Sequence, residues 1–139
     1  MRKLAAAIGV VTATAVIGLA AGCGSDTDPA VPTGADVKGT YVQEGAGFDN
    51  GEPATWKDHT IVINAAEGQG FAGYKEYISR STGQKKRETF NGSIGVDGEV
   101  FVADGDGFYE GRFVDGSFVG EYVEFGEDQQ VMNATWTRK

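Results

Sequence analysis

Only a few side chains in this sequence have the types and spacing that chemistry requires. The 139 residues include one histidine and one cysteine, so the sequence offers no cluster of His and Cys ligands for zinc. The stretch DGDG, residues 104 to 107, is similar to the start of a calcium loop, but Phe108 stands where an oxygen ligand is needed. We therefore interpret Asp104 and Asp106 as turn residues, and we expect no metal and no cofactor.

The segment NGSIG, residues 91 to 95, comes close to the GxSxG motif that presents a catalytic serine at a strand-to-helix turn. Asn91 replaces the first glycine of that motif, and no helical pattern follows Ser93. The single histidine, His59, stands at the start of a predicted strand, and we interpret it as a surface residue. The sequence therefore predicts that the protein is not an enzyme.

The position of the single cysteine is explained by the residues before it. Arg2 and Lys3 precede an uncharged, mostly apolar run that ends in small residues just before Cys23. This is the three-part layout of a secretory signal peptide. The stretch AAGC resembles the lipobox of bacterial lipoproteins, with Ala20 where that family prefers leucine. The resemblance implies that the Cys23 thiol carries a diacylglyceryl group and that the chain is cut just before it.

A lipidated cysteine would place the protein at the cell membrane, lipid-anchored and facing the extracytoplasmic side, with the membrane as its first partner. The alternatives are a plain signal peptide with an incidental cysteine and a retained transmembrane anchor. We divide the chain into a signal peptide at residues 1–22, a lipidated N-terminus and flexible linker at residues 23–37, and a single β-barrel domain at residues 38–139. The linker prediction depends on its content of Asp, Thr, Pro and Gly.

The net charge of the chain limits the classes of molecule that it is expected to bind. Its formal net charge is −8, and loss of Arg2 and Lys3 with the signal peptide would take it to −10. A protein this acidic does not favour nucleic acid or anionic lipid surfaces. A basic protein partner remains compatible with it.

The domain has the composition and pattern of an all-β protein. Short runs rich in Val, Ile, Phe and Tyr alternate with Gly, Asp and Asn, and no sustained helical period is present. With no cysteine after residue 23, the fold must depend on an apolar core. We predict eight strands, with a single helical turn over residues 53–57. The predicted strands cover residues 39–43, 59–65, 71–78, 87–96, 99–103, 108–114, 117–125 and 130–137.

Turn signals connect these strands as hairpins. The Asp97-Gly98 and Asp115-Gly116 dipeptides suit tight turns that need positive φ angles. The pattern aromatic-x-Gly recurs every 19 residues, at Phe71, Phe90 and Tyr109, which is about one hairpin. An alternative interpretation makes Asn91-Gly92 itself a turn.

In the fourth, sixth, seventh and eighth predicted strands, alternation assigns apolar residues and glycines to one face and mostly polar residues to the other. Eight antiparallel strands with one apolar face predict a small antiparallel meander barrel, with a β-sandwich as the alternative. Inward glycines would permit curvature and close packing of aromatic rings. The pattern is similar to avidin- and lipocalin-type barrels in architecture only. Lipocalins usually have Gly-x-Trp near the first strand, whereas this chain has Gly39 and Tyr41.

Two functional hypotheses remain. In the first, the barrel binds a small apolar ligand, with inward glycines making the cavity and tyrosines supplying polar groups. The candidate ligand-binding residues are Tyr109, Gly111, Phe113, Gly120 and Tyr122. In the alternative, the acidic exterior binds a cationic envelope-associated protein, as an interaction or inhibitor protein. An outward strip on the seventh strand, Val119, Val123 and Phe125, is the candidate contact for that partner.

Overall fold

The chain folds into a closed antiparallel barrel of eight strands in consecutive order. A computed structural model describes residues 30–127 and 129–139. This confirms the all-β class and the meander barrel and excludes the sandwich. The signal peptide and Cys23 lie outside the described residues. The strands are β1 (Gly39–Asp49), β2 (Glu52–Glu67), β3 (Gly70–Ile78), β4 (Lys85–Ile94), β5 (Glu99–Ala103), β6 (Gly107–Val114), β7 (Ser117–Glu124) and β8 (Gln130–Arg138).

The first hairpin is much longer than the sequence predicted. The helical turn predicted over residues 53–57 is wrong, because these residues belong to β2 and pair with β1. A tight turn at Asn50-Gly51 joins the two strands, with φ angles of 50° and 85° that suit this dipeptide. β1 pairs with β2 along one edge and with β8 along the other, and this double pairing closes the barrel.

A β-bulge in the first hairpin changes which residues of β2 point inward. Trp56 pairs with Gly45 and His59 pairs with Gln43, so two residues of β2 oppose one residue of β1. Asp58, within the bulge, has a φ of 60°. Trp56 and His59 both turn toward the interior although they are three residues apart, which simple alternation does not allow.

The recurring aromatic-x-Gly pattern has a packing role. Phe71 is directly opposite Gly92 and Phe90 is directly opposite Gly73 on the paired strands β3 and β4. A Cβ at Gly73 would come within 2.9 Å of the Phe90 ring. Each ring therefore covers the glycine of its neighbour, which is the close packing that the sequence predicted. The alternative turn at Asn91-Gly92 is wrong, because both residues lie within β4.

The inward and outward faces agree with the alternation. The buried residues are mostly aromatic and β-branched, and they form one core inside the barrel. Trp136 of β8 lies at its centre, with ring centroids 4.3 Å from Phe118 and 4.9 Å from Tyr109.

One end of the barrel is covered by residues that the sequence placed in the flexible linker. Gly34 donates its N–H to the carbonyl of Gly68 at 3.0 Å, and Val37 is buried. The Tyr41 hydroxyl donates to the Val37 carbonyl at 2.7 Å, and Arg138 donates to the Asp36 carbonyl at 2.8 Å. The linker prediction is therefore wrong for residues 34–37, which pack against the barrel.

Candidate functional site

The barrel interior changes character halfway along its length, at a fully buried glutamine on β1. Gln43 accepts a hydrogen bond from the Tyr109 hydroxyl at 2.9 Å, and its amide lies 3.9 Å from the sulfur of Met132. On one side of this level the interior is filled by aromatic rings. On the other side the side chains become polar and the barrel opens. We call the filled part the packed half and the open part the polar half.

A buried lysine lies at the base of the polar half. Lys75 of β3 is only 7% exposed, and its Nζ lies 3.1 Å from a Glu88 carboxylate oxygen and 3.2 Å from one of Asp104. It also lies 4.7 Å from the centre of the Tyr122 ring, at cation–π distance. A buried charge of this kind is tolerated because it is paired.

The environment of Lys75 keeps it protonated. Burial by itself would lower the pKa of Lys75, but the charged groups beside it, including the carboxylates of Asp104 and Glu88, outweigh burial and raise it. Burial raises the pKa of Tyr109 to about 12, so this phenol is neutral at pH 7. A protonated lysine has no free electron pair, so Lys75 does not serve as a nucleophile in this state.

Acidic side chains cluster around this lysine. Carboxylate oxygens of Glu88, Asp104 and Asp106 lie within 4.8 Å of one another, which is a spacing that suits a metal ion. The ammonium of Lys75 already contacts two of the three, so it supplies the positive charge that this cluster needs. The Tyr77 hydroxyl donates a further short hydrogen bond to Glu88.

Asp104 combines a turn role with this charged role. Its Oδ1 accepts the N–H of Gly107 at 2.8 Å, which holds the β5–β6 turn, while its Oδ2 contacts Lys75. The sequence-based interpretation of Asp104 as a turn residue is confirmed, but its ion pair was not foreseen.

Two further titratable groups face the polar half. Burial, together with nearby Asp106, raises the pKa of Glu124 to about 7. Burial, together with Lys75 and Arg80, lowers the pKa of His59 to about 4. The His59 ring lies 5.3 Å from the Tyr77 ring, and its buried Nδ1 has no hydrogen-bond partner among the described residues. His59 is half-buried and faces inward, so its interpretation as a surface residue is wrong.

The polar half encloses a chamber of about 500 Å³. Its wall combines apolar groups such as Trp56 and Met132 with charged groups such as Arg80, Asp106 and Glu124. The Arg80 guanidinium lies 5.1 Å from the Trp56 ring and pairs with Asp49 at 3.8 Å. The size of the chamber falls within the range of small-molecule sites, and polar groups converge on the chamber from several strands.

The five predicted ligand-binding residues are divided between the two halves. Tyr122 lines the chamber, and Tyr109 lies directly beneath it, with ring centroids 4.4 Å apart. Gly111 and Gly120 belong to the packed half, where a Cβ on either would come within 2.7 Å of the Phe118 ring. These glycines therefore make room for Phe118 and not for a ligand. Phe113 packs against the same core.

Sequence reasoning missed most of the chamber, although one signal was available. Lys75 alternates with Phe71, Gly73 and Tyr77 on β3, so simple parity already points its side chain inward. A lysine in an inward position requires a buried acidic partner. The inward position of Trp56, by contrast, depends on the bulge.

No protein-family model matches the chain, and no curated protein is found to be similar to it. No helical segment within residues 30–127 and 129–139 has both the length and the apolar character needed to cross a membrane.

Proposed function

We propose that this protein is a membrane-anchored lipoprotein of the cell envelope that binds a small ligand in the chamber and is not an enzyme. The observation that best supports ligand binding is the chamber of about 500 Å³ above the buried Lys75 network. A barrel that served only as a rigid spacer would gain stability by filling this space with apolar side chains, as it does in its packed half.

The chamber favours a ligand with a charged group, whereas the sequence predicted a small apolar ligand held by tyrosine hydroxyls. Lys75 is paired with Glu88 and Asp104, and Arg80 is paired with Asp49. The acids that remain are Asp106 and Glu124, whose pKa values are both raised, first by burial and then by the negative groups beside them.

A ligand with a protonated amine would relieve this crowding. Lys86 at the rim is exposed and forms no ion pair with any described residue, so its ammonium would contact a polar tail on the ligand. The rings of Tyr77, Tyr122 and Trp56 would cover a short apolar body. We therefore propose a small organic cation as the ligand class.

A fluorescence titration tests this proposal, because the chain has only two tryptophans and only Trp56 lines the chamber. We expect phenethylamine to change the emission of Trp56 in a saturable way. We expect phenylacetate, which has the same ring and the opposite charge, to bind at least about tenfold more weakly, which corresponds to about 1.4 kcal/mol. Trp56→Phe should abolish the signal while calorimetry still detects binding.

Two outcomes contradict the ligand proposal. If neither compound binds at millimolar concentration, the chamber is not a site for small aromatic cations. If phenylacetate binds more tightly, the charge assignment is reversed. Glu124→Gln provides the matched variant, because it keeps the shape of the side chain and removes its charge. The Glu124→Gln substitution should weaken binding of phenethylamine and leave binding of phenylacetate without a similar loss.

The anchor is tested separately. Cys23→Ala should abolish labelling with radioactive fatty acid and either leave the precursor uncut or release the chain from the membrane fraction. A variant that keeps both the label and the membrane fractionation of the wild type would reject lipidation at Cys23. The ligand proposal does not depend on this result, because no residue of the signal peptide is among those that line the chamber.

A further inference from the structure

The outer surface of the barrel carries a continuous line of apolar side chains near its open end. Each residue in this line is the register partner of the next across neighbouring strands. We call it the apolar row. In order around the barrel it contains Ala103, Phe108, Val123, Val131, Phe48 and Pro53. The Phe125 ring adds to it, with its centroid 5.8 Å from that of Phe108.

The centre of the apolar row is open to solvent. Phe48 is 57% exposed, Val131 is 52% exposed and Phe125 is 61% exposed. Scattered exposed apolar residues are common on proteins, but contiguous ones on neighbouring strands mark interaction surfaces. Of the strip that the sequence singled out, Val123 and Phe125 belong to this surface. Val119 lies outside it, between Arg112 and Thr135.

An uncompensated acidic pair borders the apolar row. Glu110 and Glu121 are directly opposite each other on β6 and β7, two residues from Phe108 and Val123. Like charges in this position oppose strand pairing. Neither glutamate forms an ion pair with any residue in the described part of the chain. The nearby Arg112 is engaged with Glu99 and with the Asp97 carbonyl.

We propose that the apolar row and the Glu110–Glu121 pair form a docking surface for a protein partner that presents a positively charged, amphipathic helix. The apolar face of such a helix would cover Phe48, Val131 and Val123, and its basic residues would reach the two glutamates. The central four strands of the row span about 14 Å, which is the length of about ten helical residues.

Charge distinguishes this occupant from two others. In a symmetric dimer the same surface meets itself, so the two glutamate pairs would repel each other. An anionic lipid surface would be repelled by the same pair, and the whole chain has a formal net charge of −8. A cationic helix satisfies both the apolar and the acidic parts of the surface. This surface lies outside the barrel, so it is independent of the chamber.

Binding of a designed peptide tests the proposal. The probe is a labelled 14-residue helix of leucine and lysine with all leucines on one face, and its control has glutamate in place of lysine. Fluorescence anisotropy with the purified protein should show saturable binding of the lysine peptide. Val131→Thr should weaken binding by at least about threefold through lost apolar contact. Val114→Thr is the matched control, because Val114 is 53% exposed but lies away from the apolar row, and it should bind like the wild type.

A second pair of variants tests the charged part of the surface. Glu121→Gln should weaken binding of the lysine peptide by about threefold at low salt and less at 1 M salt, where charges are screened. Glu67→Gln, in an exposed residue at the other end of the barrel, should have no effect. Each of these side chains points to solvent, so the variants should fold, and circular dichroism checks this.

Several outcomes would overturn the proposal. Equal binding by Val131→Thr and Val114→Thr would show that the apolar row is not part of the interface. Equal binding of the lysine and glutamate peptides would show that charge does not contribute to binding. Binding of neutral phosphatidylcholine vesicles that is lost in Val131→Thr would identify a lipid surface instead. A dimer in sedimentation that dissociates in Val131→Thr would identify a second copy of the chain. None of these outcomes affects the phenethylamine titration.

Discussion

The same strands form both halves of the barrel interior, but one half is filled with apolar side chains and the other is open and polar. In the packed half, Trp136 and Phe118 fill the space, and Gly111 and Gly120 let the Phe118 ring approach the sheet. In the polar half, Lys75 and its acidic partners leave about 500 Å³ open. The difference shows that stability and binding occupy separate levels of one barrel. Changes in the packed half should therefore affect folding, and changes in the polar half should affect charge and binding.

The largest effect is expected at the centre of the packed half. Trp136→Ala should lower the free energy of unfolding by about 3–5 kcal/mol, because it leaves a large cavity among rings that cannot collapse. Trp56→Ala should cost less, because its side chain faces a chamber that is already open. Guanidinium denaturation compares the two, with Trp136→Phe as a milder variant if Trp136→Ala does not fold. Equal losses would mean that the two halves are not energetically distinct.

The charged base of the polar half should give the next largest effect. Lys75→Met leaves Asp104 and Glu88 without their counter-ion and should cost about 2–4 kcal/mol at pH 8. Replacing all three residues, as Lys75→Met, Glu88→Gln and Asp104→Asn together, should recover part of the stability. A triple variant that is no more stable than Lys75→Met alone would contradict the ion-pair network.

Replacing glycine with a larger residue should have different effects on stability in the packed half and in the turn at the open end. Gly111→Val should destabilise the protein by about 1–3 kcal/mol, since its side chain would meet the Phe118 ring and the backbone of β7. Gly105→Ala is the control, because a Cβ at that exposed turn position of the open end has no atom within 4 Å. Thermal denaturation should show a clear decrease for the first variant and almost none for the second. A neutral Gly111→Val would place that glycine outside the packed core.

The smallest effects are expected from two titrations of opposite sign. The pKa of His59 is lowered to about 4, so the unfolded chain binds more protons between pH 4 and 6.5, and this group makes stability rise with pH in that range. The pKa of Glu124 is raised to about 7, so the folded chain binds more protons between pH 4.5 and 7, and this group makes stability fall as pH rises.

Urea midpoints at pH 5 and pH 7.5 measure both titrations. Relative to the wild type, His59→Gln should gain stability at pH 5, and Glu124→Gln should gain stability at pH 7.5. Identical pH profiles for the three proteins would show that neither group is perturbed by the polar half.

Much of the packed half could be predicted from the sequence, and little of the polar half could. Phe90, Tyr109 and Phe118 are buried on the inward face that alternation along their strands assigns to them, and the tight turn at Asp115-Gly116 forms as predicted, with φ angles of 50° and 77°. In the polar half, Trp56 depends on a bulge, and Asp104 reaches Lys75 across 29 residues of sequence. The Asn50-Gly51 turn is the missed signal that would have extended β1 and β2.

By itself, the sequence determined the strand class, most of the hairpin connections and the face of most aromatic residues, because these depend on neighbouring residues and a period of two. Only the tertiary structure decided that β1 pairs with β8, that Phe118 fills the space above Gly111 and Gly120, and that carboxylates from β4 and from the β5–β6 turn pair with one lysine. Barrel closure brings distant strands together, and the energy of a buried charge depends on partners that no local pattern specifies.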